Sequence, residues 1–149
     1  MSKRVLVVDD DENTRRFLSV ALEANGYEAV TAEDGDDGFN KVQEEKPDLI
    51  LLDVMMPKKT GFVLFKQLRR KEEFKDIPVI MLTAVAEVLE EEESLAEGDT
   101  TERPFDSLRD SLRKAIAKMR DEGIVKPEVF MDKPIDPENL IEEVKRLIG

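Results

Sequence analysis

Residues 49–57 read Leu49-Ile50-Leu51-Leu52-Asp53-Val54-Met55-Met56-Pro57, LILLDVMMP, and the fold turns on them. Four consecutive aliphatics leave no polar face, so the run predicts a strand buried on both sides, as in a parallel sheet covered by helices. The run ends on a carboxylate. An Asp at the rim of a buried strand is partly desolvated and costly unless a cation or a hydrogen bond compensates it. Either Asp53 caps the following turn or it is placed there to react.

Working outward, the same arrangement recurs. Val5 to Val8 is a short β-branched run that ends in Asp9-Asp10-Asp11. Phe17, Leu18, Ala21 and Leu22 follow at helical spacing, with Gly26 as the stop. Tyr27 to Ala32 reads as a second strand, and Asp34-Gly35 opens a helix with Phe39 and Val42 inward that ends before Pro47. After the strand 48–52, Gly61 to Lys71 carries Phe62, Phe65 and Leu68 as a third helix. Ile77 to Leu82 is a fourth strand, Val129 to Met131 a fifth, and Pro137 to Ile148 a closing helix with Asp136 as its N-cap. Alternating strands and helices imply a doubly wound five-stranded parallel sheet with helices on both faces.

Composition restricts the chemistry. The 149 residues contain no Cys and no His, which removes disulfides, thiol nucleophiles, ordinary zinc sites and imidazole bases. A formal charge of −12 argues against a general nucleic-acid binder, which needs clustered Lys and Arg. The N-terminus has two basic residues and then a run of only four apolar ones before three acids, unlike a signal peptide. No apolar run approaches the roughly 20 residues of a membrane-spanning helix. These features lead to the expectation of a cytoplasmic protein without a membrane partner.

In an open α/β sheet, ligands bind beyond the carboxyl ends of the strands, at the switch in strand order. Asp9, Asp10 and Asp53 are therefore expected to meet. Carboxylates gathered at one rim repel one another unless a counter-charge is present. Oxygen ligands with room for water suit Mg2+. Thr83 ends the fourth strand with a hydroxyl, and Lys133 ends the fifth with an ammonium that Pro134 holds in a turn. Together these groups suit phosphoryl transfer: a carboxylate nucleophile takes the group as an aspartyl phosphate, and the hydroxyl and ammonium hold its oxygens.

Four separated motifs, VVDDD at 7–11, LLDVMMP at 51–57 with Gly61 after it, MLTA at 81–84 and DKP at 132–134, resemble response-regulator receiver domains of two-component signalling. The resemblance covers residues 3–83 and 128–148, and it implies a flavodoxin-like fold. By motif it makes Asp53 the phosphoacceptor, Asp9 and Asp10 the acidic pair for Mg2+, and the backbone carbonyl of Met55 a further metal ligand. Thr83 and Lys133 would contact the phosphoryl group, Thr83 and Phe130 would be switch residues, and the Lys133–Pro134 bond would be cis. Because the chain has no His, the phosphoryl donor is expected to be a partner, which the resemblance implies is a histidine kinase or phosphotransfer protein. In the family, side chains two past the acceptor and two past the Thr help to position hydrolytic water. Here they are Met55 and Val85, both apolar, which implies slow self-dephosphorylation.

Thr83 and Lys133 lie 50 positions apart, about twice the spacing of a plain receiver domain. A helical insertion is expected at 87–126. An acidic run from Glu87 to Asp99 precedes an amphipathic stretch, 104–122, with Phe105, Leu108, Leu112, Ala115, Ile116 and Met119 on one stripe. That stripe has three readings: packing on the domain's own core, a homodimer or kinase-docking face, or a membrane or nucleic-acid surface, the last opposed by the net charge. The acidic run reads as a solvated face. Gly149 directly follows the closing helix, so the expectation is a single receiver domain over 1–149, with no separate output domain and an unknown downstream protein target. Two rival functions remain. One is a metal-dependent phosphohydrolase with an Asp nucleophile, weakened because those similar to the dehalogenase superfamily keep an Asp where Met55 stands. The other is a pseudo-receiver acting only by contact.

Overall fold

The aliphatic run 49–52 lies at the centre of a five-stranded sheet. The computed structural model describes residues 2–54, 56, 60–83, 114 and 116–149. The elements run β1 (Arg4–Val8), α1 (Glu12–Ala24), β2 (Glu28–Ala32), α2 (Gly35–Glu45), β3 (Leu49–Asp53), α3 (Gly61–Arg69), β4 (Val79–Thr83), β5 (Val129–Asp132) and α4 (Pro137–Ile148). The strand order is β2-β1-β3-β4-β5, every pair parallel. The order reverses between β1 and β3, which places the switch point between the ends of those two strands.

Side-chain alternation along the strands divides the core in two. Ile50 and Leu52 of β3 face a cluster with Val42 of α2 and Phe62, Phe65 and Leu68 of α3. Leu49 and Leu51 face the other side, with Leu18 and Leu22 of α1 and Leu140, Ile141 and Val144 of α4. The doubly wound fold with helices on both faces is thus present. Fully burying each such side chain stabilises by about 1.5–3 kcal/mol.

Local signals explain the element ends. Asp11 caps α1, its carboxylate accepting from the N–H groups of Asn13 and Thr14. Gly26, at φ +88°, closes the helix: its N–H donates to the Glu23 carbonyl and the Tyr27 N–H to that of Leu22. Asp136 caps α4, with Pro137 in its first turn.

Two expectations shift. β4 begins at Val79 rather than Ile77, because Pro78 has no N–H to donate to a ladder, although its carbonyl accepts from the Ile50 N–H. Phe17 lies on the apolar stripe of α1 yet is 46% exposed, beside the exposed Val20. The buried face of α1 is narrower than the sequence stripe and is filled by Leu18 and Leu22.

The acidic run at 87–99 and the stripe residues Phe105, Leu108, Leu112 and Ala115 lie outside the described residues. Residues 116–121 are helical, and Ile116 and Met119 are buried in the same cluster as Phe130 and Met81. The chain then returns along α3. Glu122 pairs with Lys66 at 3.4 Å and with Arg70 at 2.9 Å. Arg69, nearly buried, binds both carboxylate oxygens of Glu128 at 2.9 and 3.0 Å and lies 4.6 Å over the Phe65 ring. Glu128 in turn accepts from the Val79 N–H, so α3, β4 and the entry to β5 share one polar junction. Among the described residues, no helix is long and apolar enough to cross a membrane.

Candidate functional site

β1 and β3 are neighbours, with Val8 opposite Leu52, so Asp9 and Asp53 emerge side by side at the switch point. Asp9 is fully buried, Asp53 is 2% exposed and Asp10 is exposed. One carboxylate oxygen from each of the three lies within 4.8 Å of the others. Three anions this close would repel strongly in a partly desolvated site without a counter-charge.

β5 supplies one counter-charge. Its register sets Thr83 opposite Asp132, and the Lys133 N–H donates to the Thr83 carbonyl at 2.9 Å. The Lys133 ammonium then reaches Asp9 Oδ2 at 2.9 Å and Asp53 Oδ1 at 3.4 Å. Burial pushes that ammonium down, but the hydrogen bond to Asp9 and the charges of Asp53 and Asp9 outweigh it and raise its pKa above the ordinary lysine value. The Lys133–Pro134 bond is cis, as the motif implied.

Three carboxylates against one ammonium leave a formal surplus of two negative charges. All the donors are hard oxygens, and exposed Asp10 opens the cluster to water. The donor set therefore fits a hard divalent cation that keeps part of its water shell. Met55 lies outside the described residues. Thr83 is buried at the end of β4, the same sheet edge as Asp53. Phe130 is buried one strand away, opposite Met81.

Two residues have parts at this site that sequence reasoning did not assign. A Cβ built on Gly61 would lie 2.3 Å from the Asp53 carbonyl oxygen, and the Gly61 N–H donates to the Val54 carbonyl at 3.1 Å. Only a residue without a side chain lets the start of α3 close against the end of β3. Arg15, in the first turn of α1, donates from Nη1 to the Asp9 backbone carbonyl at 2.7 Å. Its position six residues after Asp9, one turn into the helix, was the available signal. Asp11 proves to be the helix cap, its pKa lowered mainly by the hydrogen bond from the Thr14 hydroxyl.

A parallel sheet in this order, with an acidic cluster and a lysine at its switch point, defines a class of α/β signalling domain. The chain belongs to the response regulator receiver domain family, whose model matches residues 5–102. It is 40% identical to the alkaline phosphatase synthesis transcriptional regulatory protein PhoP of Bacillus subtilis, over 88% of this chain and 54% of PhoP. It is also 40% identical to the phosphate regulon transcriptional regulatory protein PhoB of Escherichia coli, over 80% of this chain and 53% of PhoB. The chain spans about half the length of the curated relatives it matches. Among solved structures it is similar to the chemotaxis protein CheY4 of Vibrio cholerae, with a TM-score of 0.68, 27% identity and 99% of both chains covered. A putative response regulator from Chloroflexus aurantiacus superposes with a TM-score of 0.71 at 25% identity, covering 99% of this chain and 98% of that one. Receiver domains are phosphorylation-activated signalling switches, and this chain is one of them.

Proposed function

We propose that Asp53 accepts the phosphoryl group, from a phosphohistidine on a partner histidine kinase or phosphotransfer protein. The observation that carries this reading is the position of Asp53: a buried carboxylate at the switch point, 3.4 Å from the Lys133 ammonium and within 4.8 Å of Asp9 and Asp10. A carboxylate oxygen of Asp53 forms a bond to phosphorus as the phosphorus–nitrogen bond breaks, and the leaving imidazole keeps the electron pair and takes up a proton. Asp9, Asp10, Asp53 and the Met55 carbonyl would hold Mg2+, which supplies charge neutralisation to the phosphoryl oxygens. The Lys133 ammonium and the Thr83 hydroxyl hold the remaining oxygens.

Thr83 and Phe130 then act as the switch, and Phe130 belongs to the same core cluster as Ile116 and Met119. Output is by protein contact with a downstream target, and the domain assists only its own phosphorylation and dephosphorylation. The burial of Ile116 and Met119 supports packing on the domain's own core, rather than a homodimer or kinase-docking face, for these two described residues of the stripe. Met55 and Val85 offer no group to hold a hydrolytic water, so the phosphorylated form is long-lived. Its decay after removal of the donor should take much longer than that of a Met55→Asn variant, which gains an amide at that position; equal rates would contradict this.

Reductive trapping tests the acceptor. Borohydride converts an aspartyl phosphate to homoserine, and peptide mapping of the phosphorylated, trapped protein should find homoserine at position 53. Homoserine at position 9 or 10 instead would overturn the reading.

A further inference from the structure

We infer that Arg15 is a positioning residue for the cation site, acting through the backbone of Asp9 to fix where Asp10 stands; this rests on the proposed function of the acidic cluster. β1 ends at Val8, so the carbonyl of Asp9 lies beyond the strand ladder. Its partner is the Arg15 guanidinium, at 2.7 Å and partly buried. Side chains in a helix lean toward its N-terminus, and a long one in the first turn reaches back over the strand-to-helix connection. The helix holds Arg15 in turn, its N–H donating to the Asp11 carbonyl at 3.0 Å.

With that bond, every polar atom of Asp9 is engaged. The N–H donates to the Ala32 carbonyl at 3.2 Å, Oδ1 accepts from the Asp11 N–H at 2.9 Å, and Oδ2 accepts from Lys133 at 2.9 Å. The carbonyl, held by Arg15, fixes the plane of the peptide joining Asp9 to Asp10. Asp10 is the exposed member of the cluster, and its carboxylate is placed by the backbone from which it projects. Rotation of that peptide would swing Asp10 away from Asp9 and Asp53 while leaving Asp9 in its ion pair. Groups that orient ligands without touching the metal commonly control affinity in this way.

Charge and orientation predict opposite signs. Arg15 is a cation beside a cation site, so by charge alone its removal tightens Mg2+ binding. By orientation, its removal weakens binding. Calorimetric titration of the folded chain with Mg2+ alone, for wild type, Arg15→Gln and Arg15→Lys, separates the two. We expect Arg15→Gln to bind about tenfold more weakly, in the range usual for outer-shell partners, and Arg15→Lys to fall between it and wild type. In phosphorylation by a small acyl phosphate, Arg15→Lys should raise the Mg2+ concentration for half-maximal rate without lowering the rate at saturating Mg2+. Tighter binding by Arg15→Gln, or unchanged binding by Arg15→Lys, overturns the inference. Should Arg15→Gln not fold, Arg15→Lys decides alone. Absence of Mg2+ binding by wild type would overturn the cation reading of the cluster itself, and the inference with it.

Discussion

An added methyl at Gly61 would sit 2.3 Å from the Asp53 carbonyl oxygen and 3.0 Å from the Val54 Cα, both backbone atoms that cannot rotate aside. Gly61→Ala therefore displaces either the acceptor or the start of α3. We expect it to destabilise the fold by about 1–3 kcal/mol, the usual cost of overpacking, in denaturant unfolding. Phosphorylation should slow by more than the loss of folded protein explains. A variant as stable and as reactive as wild type would show that the two segments need not touch. Tyr27 makes a separate prediction. It is 6% exposed, and burial pushes its phenol above the ordinary value. An acid whose pKa is higher in the folded state contributes stability that is complete below its unfolded pKa, about 10, and lost as pH rises through the folded one. The stability of Tyr27→Phe should accordingly fall less steeply than that of wild type above about pH 10, and identical slopes in alkaline unfolding would contradict it.

The junction at α3 belongs to the scale of elements. Arg69 joins α3 to the loop before β4, through the Lys75 and Ile77 carbonyls, and to the segment before β5, through Glu128. Removing one partner of a buried pair costs about 3–5 kcal/mol; Glu128 is 31% exposed on its side chain, so Arg69→Met should cost the lower end, nearer 3 kcal/mol. Amide exchange should quicken first at Val79 and Val129, while β1 stays protected. Loss confined to α3 would contradict the link. This junction could not be read in the sequence, because Arg69 and Glu128 meet only once β5 is placed beside β4. What could be read were features that local chemistry decides. The aliphatic runs, Gly26, Asp136 and the position of Asp53 at a strand end each carry their meaning within a few residues. Phe17 shows the limit: helical spacing marks an apolar stripe, but which of its members are buried depends on how α1 lies on the sheet.

At the scale of the whole molecule, the strand order unites what the chain separates. Asp9, Asp53 and Lys133 are distant in sequence, yet the ends of β1, β3 and β5, the last beyond β4, bring the Lys133 ammonium within 3.4 Å of both carboxylates. That convergence was legible, because alternating strands and helices imply a parallel sheet and a parallel sheet gathers its strand ends. The orienting part of Arg15 was not, since it depends on the path of one turn. The region between Thr83 and residue 114 was legible only as a charge pattern and an apolar stripe; beyond it, Ile116 and Met119 join the core cluster that holds Phe130. The most direct test of the central claim is the intact mass of the chain after exposure to a small acyl phosphate, with and without Mg2+, beside Asp53→Asn. The account predicts a gain of one phosphoryl group that requires Mg2+ and is absent from Asp53→Asn. An equal gain in the variant, or a gain in wild type indifferent to Mg2+, would contradict it.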